Sequence, residues 1–141
     1  MPLNTTLPAD LEQRFAGLGE VIARVSPDVD FAYLFGSVSA GRLAPRSDVD
    51  LAIHVTGGAD LHTLRLDVAR AVAKHLGTDA VDVVLLNTAP LSLAGRVLLT
   101  RRVALDRVPF ARHRYESVVA RMFQDFRVRE HRLLAQRYGH D

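Results

Sequence analysis

The 141-residue sequence contains no cysteine, which excludes disulfide staples, thiolate metal sites and a cysteine nucleophile. Any metal must therefore be held by oxygen or histidine ligands, and carboxylates are the first to consider. Lysine is nearly missing as well: Lys74 is the sole lysine, and seventeen of the eighteen cationic side chains are arginine. Arginine pairs bidentately with phosphate and carboxylate, which suits nucleotides, RNA or an acidic partner. A GC-rich coding sequence gives the same bias with no physical purpose, and a net charge of only +2 provides little general attraction for DNA. No apolar run reaches the roughly 18 residues of a membrane span. Met1 to Asp10 also lacks the basic start and apolar stretch of a signal peptide. A cytoplasmic protein with no membrane partner is the expectation. What is present, 48% hydrophobic and 24% charged residues, is the balance of a globular domain. With no repeat, low-complexity tract or long linker, residues 1–141 are expected to form a single domain.

Periodicity gives the elements. Leu11, Phe15, Leu18, Ile22 and Val25 recur at helical spacing, so one helix is expected from about Pro8 to Arg24, ended by Ser26-Pro27-Asp28. Phe31 to Phe35 is a short, nearly all-apolar run suited to a buried strand. Val49, Leu51, Ile53 and Val55 alternate with Asp50, Ala52 and His54, the pattern of a strand with one face on a core. Asp60 is a good N-cap for a helix that Gly77 stops. Val81 to Leu86 is a third strand, and Pro90 opens a helix to about Leu99. A short extended piece lies near Arg102 to Leu105. The last element, from about Pro109 to Tyr138, is a long basic amphipathic helix with Val119, Met122, Phe126 and Leu133 along one face and seven arginines outnumbering its acidic residues. The fold class is α/β, or α+β: a small sheet of three to four strands covered by helices.

The chemistry lies in Gly36-Ser37, ten further residues, and Asp48-Val49-Asp50. Strand residues two apart point to the same side, so Asp48 and Asp50 both turn away from the core that takes Val49, Leu51 and Ile53. Two like charges side by side are unfavourable unless a cation sits between them. Paired hard oxygen ligands, together with substrate phosphates, are a common way to hold Mg²⁺. Asp82, flanked by Val81 and Val83, reaches the same place if the two strands are neighbours. Three carboxylates can bridge two ions that serve an in-line displacement at phosphorus. Gly36 permits close backbone approach after a strand, and Ser37 offers a hydroxyl and an N–H, at a helix start, to a triphosphate. Each half alone is commonplace: Asp before a strand is an ordinary turn residue, Gly-Ser after one an ordinary turn, and Asp82 alone an edge residue in solvent. Their order between apolar strands is what singles them out. His54, on the same strand face as Asp50, reads as a solvent-facing histidine more readily than as a nucleotide contact.

At these residues the sequence resembles the DNA polymerase beta superfamily of nucleotidyltransferases, whose hallmark is Gly-Ser, a spacer, Asp-x-Asp and a third Asp on a later strand. The runs Leu34 to Arg42 and Arg46 to Leu51 are most similar to its minimal nucleotidyltransferase branch. Gly95-Arg96-Val97-Leu98, Leu105-Asp106, Tyr115 and Asp125-Phe126 resemble that branch's later segments, so the likeness covers most of the chain. The resemblance implies the nucleotidyltransferase fold, with a small mixed sheet and a long C-terminal helix. It also implies two Mg²⁺ ions held by Asp48, Asp50 and Asp82, ATP as substrate bound by Gly36 and Ser37, and Arg42, Arg46 and Ser47 as weaker phosphate contacts. Asp82 would help deprotonate the acceptor. Many members of the branch are antitoxins that attach AMP to a tyrosine of a helical HEPN ribonuclease toxin. The implied partner is such a toxin, in a hetero-oligomer.

Two other functions fit the same carboxylates. One is transfer to a small hydroxyl compound of the aminoglycoside type, which usually requires a further domain or subunit to wall the acceptor pocket. The other is an antitoxin that only masks its toxin, against which the intact ligand set argues. Arg107 with His113-Arg114-Tyr115 matches the toxin's own active-site pattern, but Pro109 interrupts the helix that pattern needs.

Overall fold

The computed structural model describes residues 3–39, 48–58 and 60–137. At its centre is β1 (Val29–Phe35), flanked by β2 (Val49–Val55), β3 (Val81–Leu85) and β4 (Arg102–Asp106) in the order β3-β2-β1-β4. β1 runs antiparallel to β2 and β4, whereas β2 and β3 are parallel. Parallel neighbours need a long crossover, which is α4 (Leu61–Leu76). All seven residues of β1 are buried, as expected of a strand with neighbours on both edges and helices on both faces.

The period-two pattern of β2 divides the core. Val49, Leu51 and Ile53 meet Leu11, Leu18, Ile22, Val68 and Leu76 from α1 (Leu11–Arg14), α2 (Leu18–Val25) and α4. On the opposite face Ala52 lies in a second cluster with Phe31, Tyr33, Phe35 and Val97, closed by α5 (Leu91–Thr100) and the start of α6 (Pro109–Arg137) through Ala111 and Tyr115. The short α3 (Gly36–Ser39) follows β1 directly.

Local signals set the boundaries. The Asp60 carboxylate accepts from the His62 and Thr63 backbone N–H groups and so caps α4, while Gly77 ends it with φ 76°. Asn87 extends the β2–β3 ladder with its side chain, accepting from Val55 N at 2.9 Å and donating to Val55 O at 2.7 Å. The expected single helix from Pro8 to Arg24 is two. Gly17 sits between them at φ 80°, a left-handed backbone that an α-helix cannot contain, and this re-aims the apolar positions so that Leu11 and Ile22 both reach the sheet. Pro90 lies just before α5, at its N-cap. Among the described residues, no helix is long and apolar enough to cross a membrane.

Candidate active site

β2 and β3 bring the carboxylates together. Their parallel register sets Asp50 directly beside Asp82, and Asp48 stands one residue before β2, exposed. Asp50 points to the sheet face of Ala52, away from the Val49 side, as the alternation requires. Burial pushes the Asp50 carboxyl above its usual range, and the charges of Asp82 and Asp48 push the same way, with Arg96 of α5 acting against them. Among the described residues, negative charge converges here with Arg96 to offset it, a setting that a cation would relieve.

The other side of Asp50 is closed by backbone. Phe35 is its cross-strand partner, and Gly36 follows at φ 82°. A Cβ on Gly36 would lie 2.5 Å from Asp50 Oδ2, so both the left-handed φ and the contact demand glycine. The turn is held from α5: Gly36 N–H donates to Thr100 Oγ1 at 2.8 Å, and the Ser39 hydroxyl donates to the Thr100 carbonyl at 2.7 Å. Ser37, half-buried in α3, directly follows this anchored glycine.

Gly36, Ser37, Asp50 and Asp82 are thus gathered at the same end of β1, β2 and β3, with Asp48 adjoining. Arg42, Arg46 and Ser47 fall outside the described residues. Among the described residues, no three acidic or histidine side chains close into a preformed metal cage. Mg²⁺ is commonly held by one or two carboxylates plus substrate phosphates and water, and Asp50 and Asp82, paired in register, are the carboxylates that would hold it. The donor set is all oxygen, fitting a hard cation.

One residue of this region escapes a reading of the sequence, and another is found there without a role. Thr100 is a lone threonine at a helix end, 64 residues from the N–H it binds, and nothing local marks it. Arg96 lies in a segment that the resemblance picked out, and its electrostatic effect on Asp50 is what gives it a role. His54 departs from the solvent-facing expectation: its Nδ1 lies 3.0 Å from buried Asp30, and its ring stacks on Phe31 at 4.8 Å between centroids. Arg107 donates to the carbonyls of Ser26, Val29 and Ala23. It therefore ties down the end of α2, in keeping with rejection of a ribonuclease site.

The family model for polymerase beta nucleotidyltransferases matches residues 20–108. No curated protein matches the chain. Among solved structures it is similar to a chain of a toxin–antitoxin complex with AMP-PNP, at TM-score 0.70 and 22% identity over 89% of this chain and 98% of the other. It is also similar to a chain of the tri-AMPylated Shewanella oneidensis HEPN toxin in complex with MNT antitoxin, at TM-score 0.66 and 19% identity over 92% and 99%. A mutant MntA–HpeT toxin–antitoxin complex gives TM-score 0.71 and 20% identity over 89% and 98%. These likenesses identify the architecture as the nucleotidyltransferase fold. The family match spans more than half of the chain and takes in the Gly36 turn and all three carboxylates, so the chain belongs to the polymerase beta nucleotidyltransferase family.

Proposed function

We propose that this chain is the antitoxin of a toxin–antitoxin pair, a single-domain, Mg²⁺-dependent adenylyltransferase that moves AMP from ATP to a tyrosine hydroxyl of a HEPN ribonuclease toxin in the cytoplasm. The observation that carries this reading is the side-by-side register of Asp50 and Asp82, with the glycine turn pressed against Asp50. The similarity to toxin–antitoxin complexes, one with AMP-PNP and one with a tri-AMPylated toxin, supports the choice of nucleotide and acceptor.

Asp48 and Asp50 would hold both ions, with Asp82 completing the second site. Two bound Mg²⁺ ions supply charge neutralisation for the attacking and leaving oxygens. The chain's own contribution is positioning. The Ser37 N–H and hydroxyl would face the triphosphate, on a Gly36 turn whose own N–H is taken up by Thr100, and Arg42, Arg46 and Ser47 are the further phosphate-binding candidates that the family resemblance implies. The acceptor phenol oxygen attacks the α-phosphorus, the bond to the β-phosphate oxygen breaks, and pyrophosphate leaves. Asp82 receives the phenolic proton, help that a group with an ordinary pKa near 10 requires at neutral pH.

The test is to incubate the chain with the HEPN-type protein encoded beside it, Mg²⁺ and each nucleoside triphosphate in turn, and to record intact masses. Asp48→Ala and Asp50→Ala are the controls. Gain of whole AMP units by the partner, only with intact enzyme and metal, is the expected result. No mass gain in any mixture would leave masking without chemistry, or a small-molecule acceptor, as the function.

A further inference from the structure

Helix α6 outruns the sheet it packs on. Its first turns are fastened by Tyr33 and Arg112 to Glu116 and by Arg112 to Asp106, and Ala111 and Tyr115 enter the second core cluster. The face those two residues occupy continues at helical spacing through Val118, Met122, Phe126 and Leu133. Nothing covers the continuation within the described residues: these four are 45%, 51%, 55% and 65% exposed. From Val118 to Leu133 the stripe runs about 22 Å at 1.5 Å per residue. Beside it a cleft of about 870 Å³ separates α6 from α5, lined by Leu98, Leu99, Val119 and Phe123, with Leu99 76% exposed. An apolar surface of this extent is unusual on a protein that works alone.

We propose that this stripe and cleft seat the protein acceptor, a helical partner whose docking surface is apolar at its centre and acidic at its rim. The inference rests on the transferase reading above and names how the acceptor is held. Charge selects the partner. Arg114, Arg121 and Arg132, seven and eleven residues apart, follow one edge of the stripe with Asp125 beside them, while Glu116 and Glu130 stand at the cleft on its other side; all three arginines are exposed and make no ion pair among the described residues. A second copy of this chain would set seven α6 arginines against seven more, with only three acids on each helix to offset them. A small molecule would leave most of a 22 Å stripe uncovered. A helix with acidic flanks satisfies both features, because apolar stripes dock helices into grooves and rim charges steer the encounter. Placement follows from α5, which is the wall common to both regions: Thr100 holds the Gly36 turn, and its neighbour Leu99 lines the cleft.

The experiment uses the full chain and the HEPN-type protein of the transfer assay. Binding is followed by calorimetry, and AMP transfer is followed across acceptor concentrations. The variants are Met122→Glu with Phe126→Glu on the stripe and Arg121→Glu with Arg132→Glu on the rim, with Leu66→Glu on α4 as a surface control. Stripe substitution is expected to raise the acceptor KM and Kd at least tenfold while leaving saturating kcat and AMP-PNP affinity within twofold. Rim substitution is expected to weaken binding and flatten its salt dependence. All four positions are solvent-exposed, and a thermal melt like that of the parent establishes folding of each variant. Unchanged KM and Kd in both double variants would overturn the docking surface even if transfer proceeds normally. Tight binding that the stripe variant abolishes, with no transfer by any form, would uphold the docking surface and defeat the transferase reading. No binding by the parent chain would overturn the docking surface outright.

Discussion

Gly36 and Asp50 touch so closely that a single methyl group cannot be fitted between them: a Cβ on the glycine would lie 2.5 Å from the carboxylate oxygen. The same glycine holds φ 82°. Gly36→Ala is therefore expected to displace the Asp50 carboxylate or the turn that faces it. An ångström of misplacement in a positioned site can cost about 100-fold in rate, and that is the expected loss of AMP transfer. The fold should survive with a penalty of about 1–2 kcal/mol, and a melt recorded beside the rate assay separates the two effects.

Asp50, Asp82 and Asp48 crowd negative charge, and burial adds to the cost of ionising Asp50. Metal-free protein should therefore gain from Asp50→Asn, by a few degrees in Tm at most because the group is partly solvated. Added Mg²⁺ with AMP-PNP should raise the Tm of the parent and leave the Asn variant nearly unmoved. Differential scanning fluorimetry in chelator and in metal measures both shifts. A parent that ignores the pair of ligands would speak against a cation at this place.

Thr100 fixes the Gly36 turn from the far end of α5. Thr100→Val keeps the shape and removes the oxygen, which leaves the Gly36 N–H without its 2.8 Å acceptor. An unsatisfied, half-buried donor costs about 1–3 kcal/mol. The expected kinetic result is a higher KM for ATP with a smaller change in kcat, restored by Thr100→Ser, which returns the hydroxyl. Loss of stability without any change in KM would make Thr100 a structural residue only.

How much of this was legible depends on the distance over which each feature is decided. The bounds of β2 follow from alternation within seven residues, and the grouping of Asp48, Asp50 and Asp82 follows once two strands are taken as neighbours. The cap at Asp60 and the stop at Gly77 are equally local. Thr100 and the Asp30–His54 pair are not: each depends on register between elements far apart in the chain, which periodicity does not encode. The break at Gly17 was hidden for a different reason. Apolar spacing runs through it unbroken from Leu11 to Val25, and glycine is tolerated in helices at about 1 kcal/mol. Packing of two short helices on the sheet decided the matter.

The Glu116 network makes α6 sensitive to pH. Burial pushes the Glu116 carboxyl up, but the hydrogen bonds from Tyr33 and Arg112, with the charges of Arg101 and Arg112, outweigh it and hold the carboxyl below its usual range. A depressed folded-state pKa gives stability that is present above the unfolded value of 4.5 and is lost as pH falls through the folded one. At the other end, burial first and then Glu116 push the Tyr33 phenol up. The unfolded chain therefore ionises first, and stability declines as pH rises past 10. Glu116→Gln is expected to lower stability by about 1–2 kcal/mol at pH 7, with the deficit shrinking below about pH 4. Urea titrations at pH 3.5, 7 and 10.5 test both arms.

Gly95 is where the sign of an effect distinguishes packing from propensity. In an unconstrained helix interior, glycine to alanine stabilises by about 1 kcal/mol, because alanine loses less backbone freedom on folding. Here the added Cβ would come within 2.6 Å of the Phe123 ring on α6. The helices must then separate or the ring must leave the cleft, and overpacking of this kind typically costs about 1–3 kcal/mol. Gly95→Ala should therefore destabilise on balance. Combining it with Phe123→Leu should recover part of the loss, since the smaller side chain vacates the collision. A stabilised single variant would mean that α6 does not press on α5 in solution, and the cleft between them would then not have the walls described.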